Sequence, residues 1–157
     1  MPADVAPTAV LLRPYAPDDW PRLCAIHDLA RLGELRAAGL EAAYLTLAQT
    51  AENEGLFDGT VTVAVLDGEV QGFAAVCDGE LTWLYVHPAA QRRGIGRALL
   101  RRAIDAGALT AEVLVGNAPA LQLYLSEGFA IDGRIDGRLA GNARFAASGY
   151  RLRRAAG

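Results

Sequence analysis

The chain has 157 residues, 52% of them hydrophobic, and a formal net charge of −3; that is enough for one domain over residues 1–157, and too acidic for a nucleic-acid partner bound across the whole surface. No apolar run reaches about 18 residues, and MPADVAPTAV lacks the charged start and apolar stretch of a signal peptide, so a cytoplasmic protein with no membrane partner is expected. Cys24 and Cys77 stand in no CxxC or Cys/His spacing, which argues against a metal site or a disulfide framework and leaves them as buried free thiols.

Val10–Arg13 is a short apolar run before Pro14, consistent with a first strand. Asp18 and Asp19 offer helix N-cap chemistry, and Leu23, Ile26, Leu29 and Ala30 recur at helical spacing, predicting a helix from about residue 18 to the mid-thirties. His27 lies near its apolar face with no partner at metal or catalytic spacing, and reads as structural or solvated. After Gly39, a second amphipathic face of Leu40, Ala43, Tyr44, Leu47 and Ala48 predicts another helix, ended by Gly55. From Thr60 the pattern turns extended. Val61–Leu66 and Val70–Val76 around Asp67-Gly68 read as a hairpin, and Asp78-Gly79 leads into a third strand, Glu80–Val86, stopped by Pro88.

Between Gly94 and Ala106 a wide apolar arc of Ile95, Leu99, Leu100, Ala103 and Ile104 faces away from Arg97, Arg101 and Asp105, with Arg101 and Asp105 spaced as an i,i+4 pair. Leu109–Val115 returns as a strand, and a crossover of this length implies parallel pairing. Asn117 caps a further helix, with Pro119 in its first turn and Gly128 as its stop. Phe129–Ile131 is extended, Asp132–Ser148 reads as a loop or loosely ordered hairpin, and a last strand is expected at about 149–153. The order predicts a mixed α/β fold: a central mixed sheet of about six to seven strands, an antiparallel meander followed by a βαβ unit, and helices on both faces.

The turn from Gln91 to Ala98 carries the first functional signal. Backbone N–H groups at a helix start have no intrahelical partner and favour an anion, while arginines there are mildly unfavourable unless an anion lies among them. Arg92 and Arg93 precede the first turn, Arg97 sits within it, and Gly94 and Gly96 leave room for a ligand near the main chain. No lysine follows either glycine as a Walker loop requires, and Leu99 stands where a dinucleotide fingerprint needs its third glycine. The remaining pattern, Gln91-Arg92-Arg93-Gly94-Ile95-Gly96, resembles the acyl-CoA pyrophosphate loop of the GNAT superfamily of N-acetyltransferases. Asn117, Ala120, Tyr124, Gly128 and Phe129 form NxxAxxxYxxxGF, similar to that superfamily's other hallmark and in the right order along the chain.

The resemblance implies a GNAT-like fold and acetyl-CoA as acyl donor, with no metal. The pyrophosphate belongs at Gln91, Arg92, Arg93, Gly94, Ile95, Gly96, Arg97 and Ala98, and Asn117 and Tyr124 also belong to the cofactor site. The pantetheine amides would pair with the main chain of Leu84, Tyr85 and Val86, a form of strand addition, and backbone donors near Val86 would stabilise the oxyanion. Tyr124 is implied as the general acid at the thioester sulfur. Two carboxylates compete as base: Glu80, six residues before Val86, and Glu112, five before Asn117; a water chain ending at a carboxylate is a third route. Strand alternation puts Glu80, Thr82, Leu84 and Val86 on one face. His87 follows the strand and reads as a surface residue.

With no nucleophile in a motif, direct transfer of acetyl to a primary amine is expected, the acceptor being a small molecule or a peptide. A silent acyl-CoA-binding module is the alternative, and nucleic-acid binding by the arginine-rich helix start a minor third. The resemblance admits a homodimer, although no stretch specifies an interface.

Overall fold

Two Asp-Gly pairs organise the first half of the sheet. In the computed structural model, which describes residues 9–155, Asp67 and Gly68 have φ of 54° and 78°, and Asp78 and Gly79 have 49° and 78°. Left-handed backbone at both central positions matches the twist of the flanking strands. The turns fold β2 (Thr60–Leu66), β3 (Glu69–Cys77) and β4 (Glu80–Val86) into the expected antiparallel meander, and β1 (Leu11–Pro14) pairs along β2. After helix α3 (Ile95–Asp105), β5 (Thr110–Leu114) runs parallel to β4. The chain closes with β6 (Phe129–Leu139) and β7 (Asn142–Arg154), and β7 lies between β5 and β6 in a seven-stranded mixed sheet ordered β1-β2-β3-β4-β5-β7-β6.

Helices cover both faces. α1 (Trp20–Ala37) and the short α2 (Leu47–Thr50) pack over Phe73, Ala75 and Trp83 through Leu23, Ile26 and Leu47. On the other face α3 buries Ile95, Leu99, Leu100 and Ala103, beside Tyr124 of α4 (Ala118–Ser126) and Phe129. Gly72 permits the close approach of α3: a Cβ there would meet Ile95 Cγ2 at 2.9 Å and the Tyr85 carbonyl oxygen at 3.1 Å. The segment 1–8, on which most of the signal-peptide reading depends, lies outside the described residues. Among the described residues no helix is long and apolar enough to cross a membrane.

Five local expectations fail, each for a physical reason. The helix expected at about 40–55 is broken into a 3₁₀ turn at Glu41–Ala43 and the four residues of α2. Thr46 stops its continuation: its hydroxyl accepts the Gln49 N–H and its own N–H donates to the Gln49 side chain, a cap where the helix interior should be. Of the two readings of the Gly- and Asp-rich segment 132–148 the hairpin holds and the loop fails, because long β6 and β7 pair along most of it, with bulges near Ile131 and Arg138 absorbing the irregular sequence. Asp19 does not cap α1 but turns back to hold Arg13 with two 2.8 Å contacts and to accept the Ala16 N–H. Arg101 reaches Glu127 at the end of α4 rather than Asp105.

The fifth concerns β4. Its pairing with β3 shifts at Ala75/Val76, where Val76 faces Leu81 but Ala75 faces Trp83, so Thr82 is an extra residue. This bulge breaks the alternation. Leu84 and Val86 pack on the α3 side as Leu81 does, Trp83 and Tyr85 pack on the α1 side, and Glu80 joins the latter rather than sharing a face with Leu84 and Val86.

Candidate functional site

The site begins where β4 and β5 part. Only Glu80↔Thr110 and Leu81↔Ala111 are paired, so the edge of β4 that faces β5 is open from Thr82 to Val86. An open edge presents main-chain donors and acceptors to a ligand that carries amides. At one end of the opening lies the start of α3. Its first intrahelical bond runs from Ala98 N to Gly94 O, leaving the N–H groups of Ile95, Gly96 and Arg97 without an intrahelical partner. Gly94 holds φ of 82°, no side-chain cap covers the helix end, and a Cβ at Gly94 would meet nothing within 4 Å. Gly96 differs: its Cβ space is bounded by Leu123 at 3.4 Å and Val86 at 3.7 Å, so its small size serves packing. The fit to a pyrophosphate thus rests on free N–H groups and open space.

The arginines divide. Gln91, Arg92 and Arg93 are exposed, Arg92 has φ of 66°, and Arg93 makes only a loose 3.8 Å pair with Asp67. The Arg97 guanidinium is held 2.6 Å from Glu127, which also binds Arg101. A protein carboxylate therefore supplies the anion that an arginine in this first turn requires, and only the Arg97 main chain remains for a ligand.

On the α1 side of the opening lies a cavity of about 340 Å³ between α1, β4, β5 and the β6–β7 hairpin. It brings Glu80 and Glu112 together. The bulge in β4 turns Glu80 toward it, and on β5 Glu112 alternates with Ala111 and Val113, which face the α3 side. Burial and the charge of Glu112 push the Glu80 carboxyl up from its ordinary value, and among the described residues neither glutamate has an ion-pair or hydrogen-bond partner.

Between the cavity and α4 lies a network centred on Glu34, a residue not expected from sequence. Glu34 of α1 accepts hydrogen bonds from Arg31, from the Tyr85 hydroxyl at 3.3 Å and from Asn117 Nδ2 at 2.9 Å. It therefore joins α1 to β4 and to the cap of α4, since the Asn117 side-chain oxygen accepts the Ala120 N–H. Tyr124 is buried against Phe129, with ring centroids 5.5 Å apart, and burial together with the Glu34 charge raises its phenol pKa, so it stays protonated at neutral pH. Its hydroxyl bonds to no other described residue, yet among the described residues no buried side-chain oxygen is orphaned. That oxygen must therefore retain an opening.

The family described as Acetyltransferase (GNAT) domain matches residues 57–131, which hold the meander, the α3 turn and Tyr124. Ribosomal-protein-alanine N-acetyltransferase from Brucella melitensis, 27% identical, superposes with a TM-score of 0.66 over 93% of this chain and 99% of that one. Residues 57–131 thus carry a GNAT acetyltransferase domain. The protein yncA from Salmonella typhimurium, solved with acetyl-CoA as its cofactor, is 26% identical with a TM-score of 0.59 over 92% of this chain and 94% of that one. Streptothricin acetyltransferase from Streptomyces lavendulae is 39% identical over 95 residues, 53% of this chain and 50% of that protein; the chain spans about half the length of the curated relatives it matches.

Within this GNAT frame, the residues expected from sequence fall into two groups on either side of the β4–β5 opening. The α3 turn, the Leu84–Val86 main chain, Asn117 and Tyr124 form one; Glu80 and Glu112 form the other. His87 belongs to neither, because its Nδ1 accepts the Ala89 N–H and caps the turn before α3. His27, which sequence spacing leaves without a partner, has its ring buried on the cavity wall with Nδ1 3.0 Å from Asp28. The signal for these α1 residues was a polar stripe, His27, Arg31 and Glu34 at i, i+4 and i+7, on an otherwise ordinary amphipathic helix.

Proposed function

We propose that this chain, as a single domain, transfers acetyl from acetyl-CoA directly to the primary amine of a small molecule or peptide. What supports the reading is the meeting, at one opening of the sheet, of an uncapped helix start, a free strand edge, a protonated tyrosine and a cavity holding unpaired carboxylates. The N–H groups at the start of α3 and the exposed Arg92 and Arg93 would hold the pyrophosphate, and the β4 edge the pantetheine amides. Bound there, acetyl-CoA supplies an activated acetyl group as a thioester.

The acceptor enters from the α1-side cavity. Its nitrogen must be neutral to attack, and Glu80 or Glu112, directly or through water, accepts the proton. Glu80 is the better tuned, because its raised pKa makes it a stronger base than an exposed carboxylate. As the C–N bond forms the C–S bond breaks, and the departing thiolate takes the Tyr124 proton. Glu34 keeps that proton in place beforehand by disfavouring a phenolate beside its own charge.

Calorimetry with acetyl-CoA tests the donor half. Gly94→Glu places a carboxylate at the open helix start and a side chain at a left-handed φ, so binding should fall by at least about tenfold. No binding by the wild type, or equal binding by the variant, rejects the site. Amine-dependent release of free CoA thiol then separates an enzyme from a silent acyl-CoA-binding module.

A further inference from the structure

The polar groups that line the acceptor cavity are unevenly committed. Apart from the Trp83 indole N–H and Arg138, its side-chain donors already have partners among the described residues. Thr82 donates to the Ala75 carbonyl at 3.2 Å, Thr50 to the Thr46 carbonyl at 3.1 Å and Asn142 to the Ala43 carbonyl at 3.1 Å, while Arg31 and Tyr85 both serve Glu34. The other uncommitted groups are acceptors. Glu54, Glu80 and Glu112 line the same space with no ion pair among the described residues, and Arg138, exposed at the rim, is the one guanidinium left to face them.

A second feature points the same way, independently of the carboxylates. The His27 side chain is only 3% exposed, and its Nδ1 lies 3.0 Å from Asp28 Oδ1. A carboxylate can only accept, so Nδ1 carries the ring proton. Burial lowers the imidazole pKa and keeps the ring neutral, leaving Nε2 as a lone-pair acceptor. Among the described residues Nε2 has no hydrogen-bond partner and no buried nitrogen is orphaned, so it keeps an opening, and His27 lines the cavity. Around it stand Trp83 and Tyr85, with ring centroids 6.0 and 5.0 Å from the imidazole, and aromatic faces attract cations.

We infer that the cavity selects an acceptor carrying a second cationic centre besides the amine that is acetylated, held by whichever of Glu80 and Glu112 does not take the reacting amine's proton, by the His27 Nε2 lone pair and by the aromatic wall. This deepens the acetyl-transfer reading and rests on it for which amine reacts. An acceptor with a carboxylate beside its amine would meet three like charges, with Arg138 as the one free cation among the described lining residues. A second ammonium instead relieves the repulsion between Glu80 and Glu112 that no described residue neutralises.

Three probes of similar length separate the possibilities: cadaverine, pentylamine and aminovalerate, each titrated calorimetrically into the CoA-bound protein and assayed for acetylation. Cadaverine should exceed pentylamine by about tenfold or more in both affinity and kcat/KM, with aminovalerate poorest. Glu80→Gln and Glu112→Gln should each shrink that gap. If a variant fails to fold, raising the ionic strength with the wild-type protein must shrink it too. Equal handling of cadaverine and pentylamine, a preference for aminovalerate, or no cadaverine binding overturns the inference. Selective cadaverine binding without acetylation of any probe leaves the acceptor class standing and removes the acetyl-transfer reading instead.

Discussion

At the scale of single residues, Tyr124 and Glu34 are separable by experiment. Tyr124→Phe should lower kcat by about 10²–10⁴-fold while leaving calorimetric acetyl-CoA affinity nearly unchanged, because the ring still packs on Phe129 and only the proton is lost. Glu34→Gln removes the charge that helps keep that proton on, so the alkaline limb of the pH–kcat profile should move to lower pH; an unmoved limb would assign Tyr124 no acid role. Asp19 gives a control remote from the chemistry. Its contacts with Arg13 hold its carboxyl below the ordinary aspartate range, so the pair stabilises the fold above the ordinary aspartate pKa of about 4 and fails as pH falls below it. Asp19→Asn should cost about 1–2 kcal/mol in urea unfolding at neutral pH, and less in acid. The sequence made Tyr124, Glu80 and Glu112 visible because motif and strand position marked them. It hid Glu34 and His27, since a polar residue on an amphipathic helix is unremarkable until the sheet it faces is known to be split.

Elements were legible where local chemistry agreed with tertiary demand. The two Asp-Gly turns, the α3 arc and the Asn117 cap all formed as expected because each is decided within a few residues. The β4 bulge was not legible: no glycine or proline marks it, and it arises from pairing with β3. Asn117 does two jobs at the start of α4, capping the helix with its oxygen and holding Glu34 with its amide. Asn117→Ala removes both, and should cost about 1–2 kcal/mol in stability as well as activity. Asn117→Ser keeps a capping oxygen without the amide donor, so its thermal midpoint should stay near wild type while kcat falls. Equal losses of activity and stability in the two variants would reduce Asn117 to a cap. Gly72→Ala probes the seating of α3, since its methyl group would press on Ile95 and the Tyr85 carbonyl; about 1–3 kcal/mol of overpacking and weaker acetyl-CoA binding are expected together.

Across the whole molecule, order from sequence was predicted well and length poorly. The β6–β7 hairpin drew most of its stability from pairing that composition did not announce, because a strand rich in glycine and aspartate still completes its ladder when its partner is in register. The parting of β4 from β5 has a mechanical side. With two register pairs between them, the sheet is two plates, β1 to β4 and β5 to β7, hinged near Glu80 and Leu81. Besides that hinge, the bonds of Glu34 to Asn117 and of Arg97 and Arg101 to Glu127 tie helices of one plate to the helix of the other. A cofactor laid along the open edge would act as a splice, so its binding energy would become folding energy. Free CoA at a hundred times its Kd should then add about 2.7 kcal/mol. Hydrogen-exchange protection should rise most at Thr82–Val86, on the inner rim of the hinge, rather than in the loops where the ligand's charge is greatest.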